Sequence, residues 1–238
     1  MNLPRLAAAA LAGIAILTAA AAEPLAPEPV GRVNRLPAAD PHWLWVYDMV
    51  YDYMADGRAT LVDGDTGRML GMINTGYSFT QFVLPSHGQA IYSPETHYSR
   101  TTRGERTDIV AIYDPHTLAP AGGILIPPKR GSTIPTLHNS ILTDEQRCLL
   151  VFNITPATSV TVVDVVERRF VTEIETPGCS LLYGAGPRRF FMLCTDGSAL
   201  LVTLDERGLP LAKVRTKPFF DPEADPISEK GVRIGDTW

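Results

Sequence analysis

The stretch that decides the fold is Ile109-Val-Ala-Ile-Tyr-Asp114, followed by the turn Pro115-His-Thr-Leu118 and the run Gly123-Ile-Leu-Ile126. It joins two short runs of β-forming residues through a turn that begins directly after an aspartate. Aspartate suits this place because its carboxylate can accept hydrogen bonds from backbone N–H groups two residues further on. The segment therefore predicts a β-hairpin whose first strand ends in an aspartate.

The same unit occurs four times. The other copies begin at Ala59-Thr-Leu-Val-Asp63, Val160-Thr-Val-Val-Asp164 and Leu200-Leu-Val-Thr-Leu-Asp205, and their second runs are 68–73, 170–174 and 211–214. The four aspartates, which we call the marker aspartates, lie 51, 50 and 41 residues apart. A unit that returns at this spacing predicts a repeat architecture.

A second hairpin pattern lies between the marker aspartates, at 81–92, 140–152 and 179–194. Two hairpins per repeat make a four-stranded antiparallel unit of about 40 to 50 residues, which is typical of a β-propeller blade. A β-sandwich also has many short strands, but it lacks this period. We predict an all-β fold, a β-propeller, with about four blades over residues 59–216 and the start of another at 225–238.

Composition agrees with short strands and many turns. The chain has 19 glycines and 20 prolines among 238 residues, and these residues interrupt long helices. Its formal net charge is −5, with acidic and basic residues interspersed. Because no long basic patch is present in the sequence, nucleic acid is not expected as a partner.

Residues 1–22 have the pattern of a secretory signal peptide. Arg5 supplies the positive charge, 6–20 are apolar or small residues, and Ala20-Ala21-Ala22 offers a cleavage site before Glu23. The alternative is a membrane anchor, but the run is shorter than the roughly 20 residues that span a bilayer. We expect an exported chain with a signal peptide at 1–22, an N-terminal extension at 23–40 and a partial propeller domain at 41–238.

Two of the three cysteines flank a predicted hairpin. Pairing across the turn 184–187 places Cys179 opposite Cys194 and Leu182 opposite Phe191. One interpretation is a disulfide, permitted in an exported protein, with α-carbons about 4.4 to 6.8 Å apart. The other is a pair of unbonded core cysteines.

The residues offer no assembled catalytic or metal site. No Gly-x-Ser-x-Gly motif occurs, and the five histidines include no helical His-x-x-x-His pair. The stretch Asp63-Gly-Asp-Thr-Gly67 superficially resembles a calcium loop, but its glycine is misplaced and Asn74 stands where a bidentate glutamate is needed. Cys148 lies in an apolar strand pattern and is expected to be a buried free thiol. The sequence therefore favours a binding or partner subunit.

Two segments exceed the needs of a plain blade. Residues 95–108 form a polar stretch with Arg100, Arg103 and Arg106, interpreted as an insertion between two strands that is either a solvated loop or functional. Residues 42–54 are dense in aromatic residues and methionine, and form either core with a blade connection or a functional surface.

These segments resemble the heavy chain of the periplasmic quinoprotein amine dehydrogenases, the aromatic amine and methylamine dehydrogenase family. The likeness covers nearly all of residues 40–238 and is greater to the aromatic amine branch. Cys179 and Cys194 match a disulfide of that family. The other matching motifs are Glu95-Thr-His-Tyr-Ser-Arg100, Arg103-Gly-Glu-Arg-Thr-Asp108, Tyr113-Asp114-Pro115, Ile126-Pro-Pro-Lys-Arg130, Val62-Asp-Gly-Asp-Thr-Gly67 and Gly71-Met-Ile73.

The resemblance implies a seven-bladed propeller in a heterotetramer of two heavy and two light chains. In that family the light chain carries tryptophan tryptophylquinone and the catalytic base, so no catalytic residue, metal or cofactor is expected in this chain. Primary amines are oxidised to aldehyde and ammonia, and a small blue copper protein accepts the electrons. An aromatic residue of the substrate entrance matches Tyr53, with Met54 and Tyr51 beside it. Because the family's chain continues for about three more blades, this chain is expected to be C-terminally truncated.

A stand-alone exported β-propeller that binds a ligand or partner without redox chemistry is the alternative function. A neighbouring gene for a cysteine-rich, tryptophan-containing light chain would favour the amine dehydrogenase subunit, and its absence would favour the stand-alone protein.

Overall fold

The computed structural model describes residues 34–48, 55–77, 82–86, 88–131 and 136–238. These residues form fourteen β-strands and a short 3-10 turn at Leu137–Asn139. No helix within these ranges has the length and apolar character needed to cross a membrane. The predicted signal peptide and the extension up to residue 33 lie outside the described ranges. The strands are β1 (Trp43–Asp48), β2 (Gly57–Asp63), β3 (Met69–Gly76), β4 (Ile91–Arg100), β5 (Arg103–Tyr113), β6 (Pro120–Ile126), β7 (Ser140–Leu142), β8 (Cys148–Asn153), β9 (Ser159–Asp164), β10 (Arg169–Glu175), β11 (Cys179–Gly184), β12 (Arg189–Cys194), β13 (Ala199–Leu204) and β14 (Pro210–Arg215).

The strands form four antiparallel sheets, numbered here in chain order. The first contains β1-β2-β3, the second β4-β5-β6, the third β7 to β10 and the fourth β11 to β14, each paired in sequence order. In the second sheet a single bridge between Val83 and Tyr92 stands where the third and fourth sheets have a full inner strand. Each sheet is a meander, which confirms the predicted all-β class.

The marker aspartates cap the turns as predicted. In each, Oδ1 accepts two backbone N–H bonds from the turn that follows, at 2.8 to 3.1 Å. The N–H bond from Thr66 lowers the pKa of Asp63, and the bond from Thr117 lowers that of Asp114. Asp63 therefore ends β2 and caps the turn that follows, as the sequence indicates.

Three apolar cores lie between neighbouring sheets. The first and second sheets share one, the second and third another, and the third and fourth the largest. The second and third sheets are buried on both faces, which is how propeller blades pack. Core residues include Ala59, Ile73 and Ala111 at the first junction, Val110, Ile112 and Val163 at the second, and Leu150, Val162 and Met192 at the third.

The interpretations of the two segments that exceed a plain blade, 42–54 and 95–108, need correction. Residues 43–48 form strand β1 rather than a connection, with alternate residues half-buried and exposed. The alternation of polar and apolar residues that marks a strand is not visible in this sequence, because residues 43–47 are all apolar or aromatic. Residues 95–108 are not an inserted loop, because β4 and β5 extend through them and meet at the turn Thr101-Thr102.

The cysteine hairpin is partly as predicted. Cys179 and Cys194 pair across β11 and β12 and form a disulfide, whereas Cys148 is a buried free cysteine. Their α-carbons lie 3.9 Å apart, closer than predicted, because they are directly opposed in a pair without mutual backbone hydrogen bonds. The predicted pairing of Leu182 with Phe191 is wrong. A bulge at Leu181, whose φ is 62°, adds one residue, so Tyr183 faces Phe191.

The segment 216–238 contains no strand, although 225–238 was predicted to begin another blade. It holds only two isolated bridges, Asp221 with Asp225 and Ile234 with Thr237. It lies instead against the fourth sheet, where the Tyr183 hydroxyl donates to the Glu229 carbonyl at 2.7 Å.

Candidate functional site

The predicted channel residues Tyr51, Tyr53 and Met54 lie in 49–54, outside the described ranges, so their placement stays a prediction. Strand β1 leads directly into this segment. The side chains of β1 are therefore the described residues that directly precede the predicted entrance in the sequence.

An aromatic wall stands on the inward face of β1. Trp45 meets Phe82 edge to face with ring centroids 4.6 Å apart, and Tyr47 lies 5.1 Å from the same ring. The Tyr47 hydroxyl accepts the Phe82 N–H at 3.3 Å. Burial raises the pKa of Tyr47, so this phenol stays protonated at physiological pH.

This wall borders a cavity of about 700 Å³. Leu137, Ile141 and Leu142 form its opposite side, and Ser86, Asp144 and Gln146 stand at its rim. The polar rim is largely engaged, since the Gln146 amide oxygen accepts the Ser86 N–H at 2.8 Å and Asp144 pairs with Arg233 at 2.9 Å. Such a site suits an apolar or aromatic group with a polar end.

A second feature is a cluster of buried charges in the second sheet, centred on Asp108. Its carboxylate accepts the Thr96 hydroxyl at 2.8 Å, two bonds from Arg106 at 2.9 and 2.8 Å, and the Arg130 N–H at 3.1 Å. Thr96 and Asp108 are directly opposed across β4 and β5. The negative charge of Asp108 can be buried because the carboxylate pairs with Arg106 and accepts several hydrogen bonds.

Arg130 is the most deeply buried cation of this cluster, with 4% of its surface exposed. It donates to the carbonyls of Gly131 and Tyr77, both at 3.3 Å, while its own carbonyl accepts from Arg106 at 2.8 Å. Burial lowers its pKa to about 10, against the attraction of Asp108. The cluster thus ties the loop after β6 to the β4–β5 hairpin.

Glu95 forms the other carboxylate of the cluster. It accepts from the Tyr113 hydroxyl at 2.9 Å and lies 3.0 Å from His97 Nε2. The hydrogen bond to Glu95 raises the pKa of His97, and burial opposes it. Desolvation, with Glu95 adding to it, raises the pKa of Tyr113. In the pair of His97 and Glu95, the imidazole is partly exposed to solvent and the Glu95 side chain is only 3% exposed.

Sequence reasoning missed this cluster. The signal that could have found it is the spacing Glu95-x-His97 and Arg106-x-Asp108, which places each pair on one face of a strand. The cluster contains no nucleophile beside a base, and the described ranges hold no group of three or more histidine, cysteine or acidic side chains positioned for a metal ion. The cluster therefore has a structural role, since its hydrogen bonds hold the β4–β5 hairpin and the loop after β6 together.

Sequence comparison gives the relationship of the chain. The sequence model of the methylamine dehydrogenase heavy chain (MADH) matches residues 40–230. The methylamine dehydrogenase heavy chain of Methylorubrum extorquens is 33% identical over 217 residues, which are 90% of this chain and 52% of the relative. That of Paracoccus versutus is 33% identical over 174 residues, 73% of this chain and 40% of the relative. The chain therefore spans about half or less of these relatives.

Solved structures with a similar backbone include propellers. The Dos1 propeller superposes with a TM-score of 0.54 at 11% identity, covering 76% of this chain and 46% of that one. The dihydro-heme d1 dehydrogenase NirN in complex with DHE gives 0.51 at 18% identity, covering 79% and 38%. This likeness concerns the fold alone, and with the four sheets it confirms a partial β-propeller. From the match over residues 40–230 and the relatives at 33% identity, the chain belongs to the methylamine dehydrogenase heavy chain family.

Proposed function

We propose that this chain is the heavy-chain subunit of an exported, periplasmic amine dehydrogenase. The complex would oxidise primary amines to aldehyde and ammonia and pass the electrons to a small blue copper protein. The heavy chain would hold a light chain, in a tetramer of two heavy and two light chains, and would line the substrate entrance. The family match over residues 40–230 carries this proposal.

The proposal assigns the quinone cofactor to the light chain. Tryptophan tryptophylquinone needs two joined tryptophan side chains. Here Trp45 packs against Phe82, and Trp238 packs against Tyr183 at 5.2 Å. Because no two tryptophan rings are in contact within the described part of the chain, these residues do not fit that group, and no step is derived through it.

The aromatic cavity supports the role in substrate access. Trp45 and Tyr47 line it, and the chain passes from them directly into the segment of Tyr51, Tyr53 and Met54. A wall of aromatic rings accepts a hydrophobic or aromatic amine side chain, and tyrosine offers a polar edge as well. The sequence resembles the aromatic amine branch, whereas the matched relatives carry the methylamine name, so a phenylethyl-type amine and a small alkyl amine are both substrates to test.

The direct test is capture of a light chain. The tagged chain and the light chain of a relative are co-expressed in a periplasm, and the tagged chain is purified. We expect the light chain to co-purify in equimolar amount, with the visible absorbance of its quinone. The matched control carries the tag on an unrelated exported propeller.

Two results would decide against the proposal. If the folded chain does not retain the light chain above the control, the heavy-chain role fails. If the chain alone oxidises amines, its role as a non-catalytic subunit fails. Folding is checked separately by circular dichroism and by detecting the disulfide between Cys179 and Cys194.

A further inference from the structure

A groove opens between the second and third sheets, beside the turn that follows the marker aspartate of the third. Its volume is about 380 Å³. The second sheet contributes Ala90 and Tyr92 to its lining, and the third contributes Val165 and Arg168. Because both sheets share a core with a sheet on either side, the groove lies within the stack of sheets rather than at one of its ends.

Arg168 occupies an unusual position in its turn. The residue four places after the marker aspartate has a left-handed backbone in the first three sheets, at Gly67, Leu118 and Arg168, with φ of 70°, 57° and 51°. Glycine adopts this conformation readily, whereas a residue with a side chain is strained in it. The second and third sheets therefore keep a side chain where glycine would be less strained, and the contacts of these two side chains differ.

The side chain of Leu118 fills the equivalent groove between the first and second sheets. Gly71 and Gly122 are equivalent positions, since each pairs with the residue two before the marker aspartate of its sheet. Leu118 covers Gly71 so closely that a Cβ there would clash with it, and it packs against the first core. Arg168 takes the same place over Gly122, where a Cβ would lie 3.7 Å from its Nη1. At this junction an arginine thus stands where the neighbouring junction has a leucine.

The guanidinium of Arg168 is an unpaired cation. Arg147 of the same sheet pairs with Asp164 at 2.8 Å, but in the described part of the chain no acceptor lies within bonding distance of the Arg168 guanidinium. Glu145 also lines the groove, and its carboxylate accepts the Arg188 N–H at 2.8 Å. The groove therefore offers a free positive charge to a ligand.

The walls beside this charge are apolar. Ala90 and Tyr92 pack against the core between the second and third sheets, and Val165 is buried in that core. Burial raises the pKa of Tyr92, while the positive charge of Arg168 opposes the shift. The phenol therefore stays protonated at physiological pH and can donate a hydrogen bond. A positive charge and a donor beside apolar walls suit a small molecule with an anionic end.

We propose that this groove binds a small carboxylate with an apolar body, whose carboxylate pairs with Arg168 and whose body lies against Tyr92 and Val165. The planar guanidinium matches the two oxygens of a carboxylate. A volume of about 380 Å³ lies within the range of about 300 to 1,000 Å³ that is usual for ligand pockets. The inference rests on the second and third sheets and is independent of the proposed enzyme role.

The test is isothermal titration calorimetry on the full chain without a light chain. Benzoate is the probe, benzamide is its neutral counterpart, and inorganic phosphate is an anion without an apolar body. We expect benzoate to bind at one site, at least about 10-fold more tightly than benzamide or phosphate.

Two variants locate the binding site. Arg168→Leu introduces the side chain that Leu118 already places at this turn position, so the turn should form and the groove should lose its charge. It should weaken benzoate binding at least about 10-fold. The matched control is Arg207→Leu, since Arg207 lies in the turn that Asp205 caps in the fourth sheet, and it should bind benzoate as the wild type does. Thermal unfolding of each variant establishes that it folds.

Three results would overturn the proposal. Equal affinities of the wild type for benzoate and benzamide would exclude a role for the charge, without need of a variant. Phosphate that binds as tightly as benzoate would contradict the apolar body of the ligand. Unchanged benzoate binding by Arg168→Leu would show that the carboxylate is held elsewhere.

Discussion

Asp108 is the residue on which the polar interior of the second sheet depends. Replacing it with asparagine keeps the shape but removes the charge that faces Arg106 and Arg130. We expect Asp108→Asn to lower the free energy of unfolding by about 3 to 5 kcal/mol, the cost of breaking a buried ion pair. Urea unfolding measures it.

The control for this prediction is Asp196→Asn. Asp196 also pairs with an arginine, Arg215, but its side chain is 53% exposed. A much smaller loss is expected because exposed ion pairs contribute little. Equal losses in the two variants would mean that burial does not set the strength of the Asp108 cluster.

His97 gives the second sheet a pH-dependent contribution. Its pKa is raised from 6.5 by the hydrogen bond to Glu95. A raised pKa in the folded state stabilises the protein fully below pH 6.5, and this stabilisation is lost as pH rises through the folded value. The difference in unfolding free energy between wild type and His97→Gln should therefore be larger at about pH 5.5 than at about pH 9. A difference that is independent of pH would contradict the role of the pair.

Tyr53 is the residue that carries the predicted substrate preference. A tyrosine at a channel mouth can pack flat on an aromatic amine while its hydroxyl stays hydrated. In a full-length heavy chain assembled with its light chain, Tyr53→Ala should change the preference between a phenylethyl-type and a small alkyl amine by about 1 to 3 kcal/mol. The measurement is kcat/KM for both amines. An unchanged ratio in an intact assembly would make Tyr53 a core residue.

At the scale of single elements, the sequence predicted hairpins with a marker aspartate because the signal is local. A short apolar run, an aspartate and a turn are contained in about ten residues, and the carboxylate caps the turn in all four copies. The register across β11 and β12 was predictable only at its cysteine end. The bulge at Leu181 depends on a left-handed backbone conformation, which a leucine in the sequence does not predict.

The β4–β5 hairpin shows why the polar cluster escaped prediction. Charged side chains in a sequence normally indicate exposure to solvent. Glu95 can be buried because it accepts a hydrogen bond from Tyr113. Asp108 can be buried because it accepts hydrogen bonds from Arg106 and Arg130. Arg130 comes from 22 residues beyond Asp108 in the chain. Partners that distant meet through the fold, so the sequence pattern alone does not pair them.

The β11–β12 hairpin is held by the disulfide, and its removal is the test at this scale. The linked residues are 15 apart, and closing a loop of that length stabilises a protein by about 3 kcal/mol. The double variant Cys179→Ala, Cys194→Ala should lose about that much, and a reductant should remove its difference from wild type. Peptide mapping without reductant should leave Cys148 unbonded. A bridge that contains Cys148 would contradict the pairing.

At the scale of the whole molecule, the repeat predicted the architecture but not its limits. The fixed spacing of the marker aspartates indicated stacked sheets, and three shared cores join them. The number of strands at the two ends was less predictable, because β1 has little visible alternation and 216–238 folds against the fourth sheet rather than into a strand. Within the described residues, the second and third sheets each share a core with two other sheets, and the first and fourth with one.

The central claim is that this chain supports amine oxidation by a partner without performing it. The most direct measurement is amine-dependent reduction of an electron-accepting dye by the purified chain, by the light chain, and by the two together. The account predicts no turnover by this chain alone and turnover by the complex well above that of the light chain. Turnover by this chain in the absence of the light chain, or a complex no more active than the light chain by itself, would contradict it.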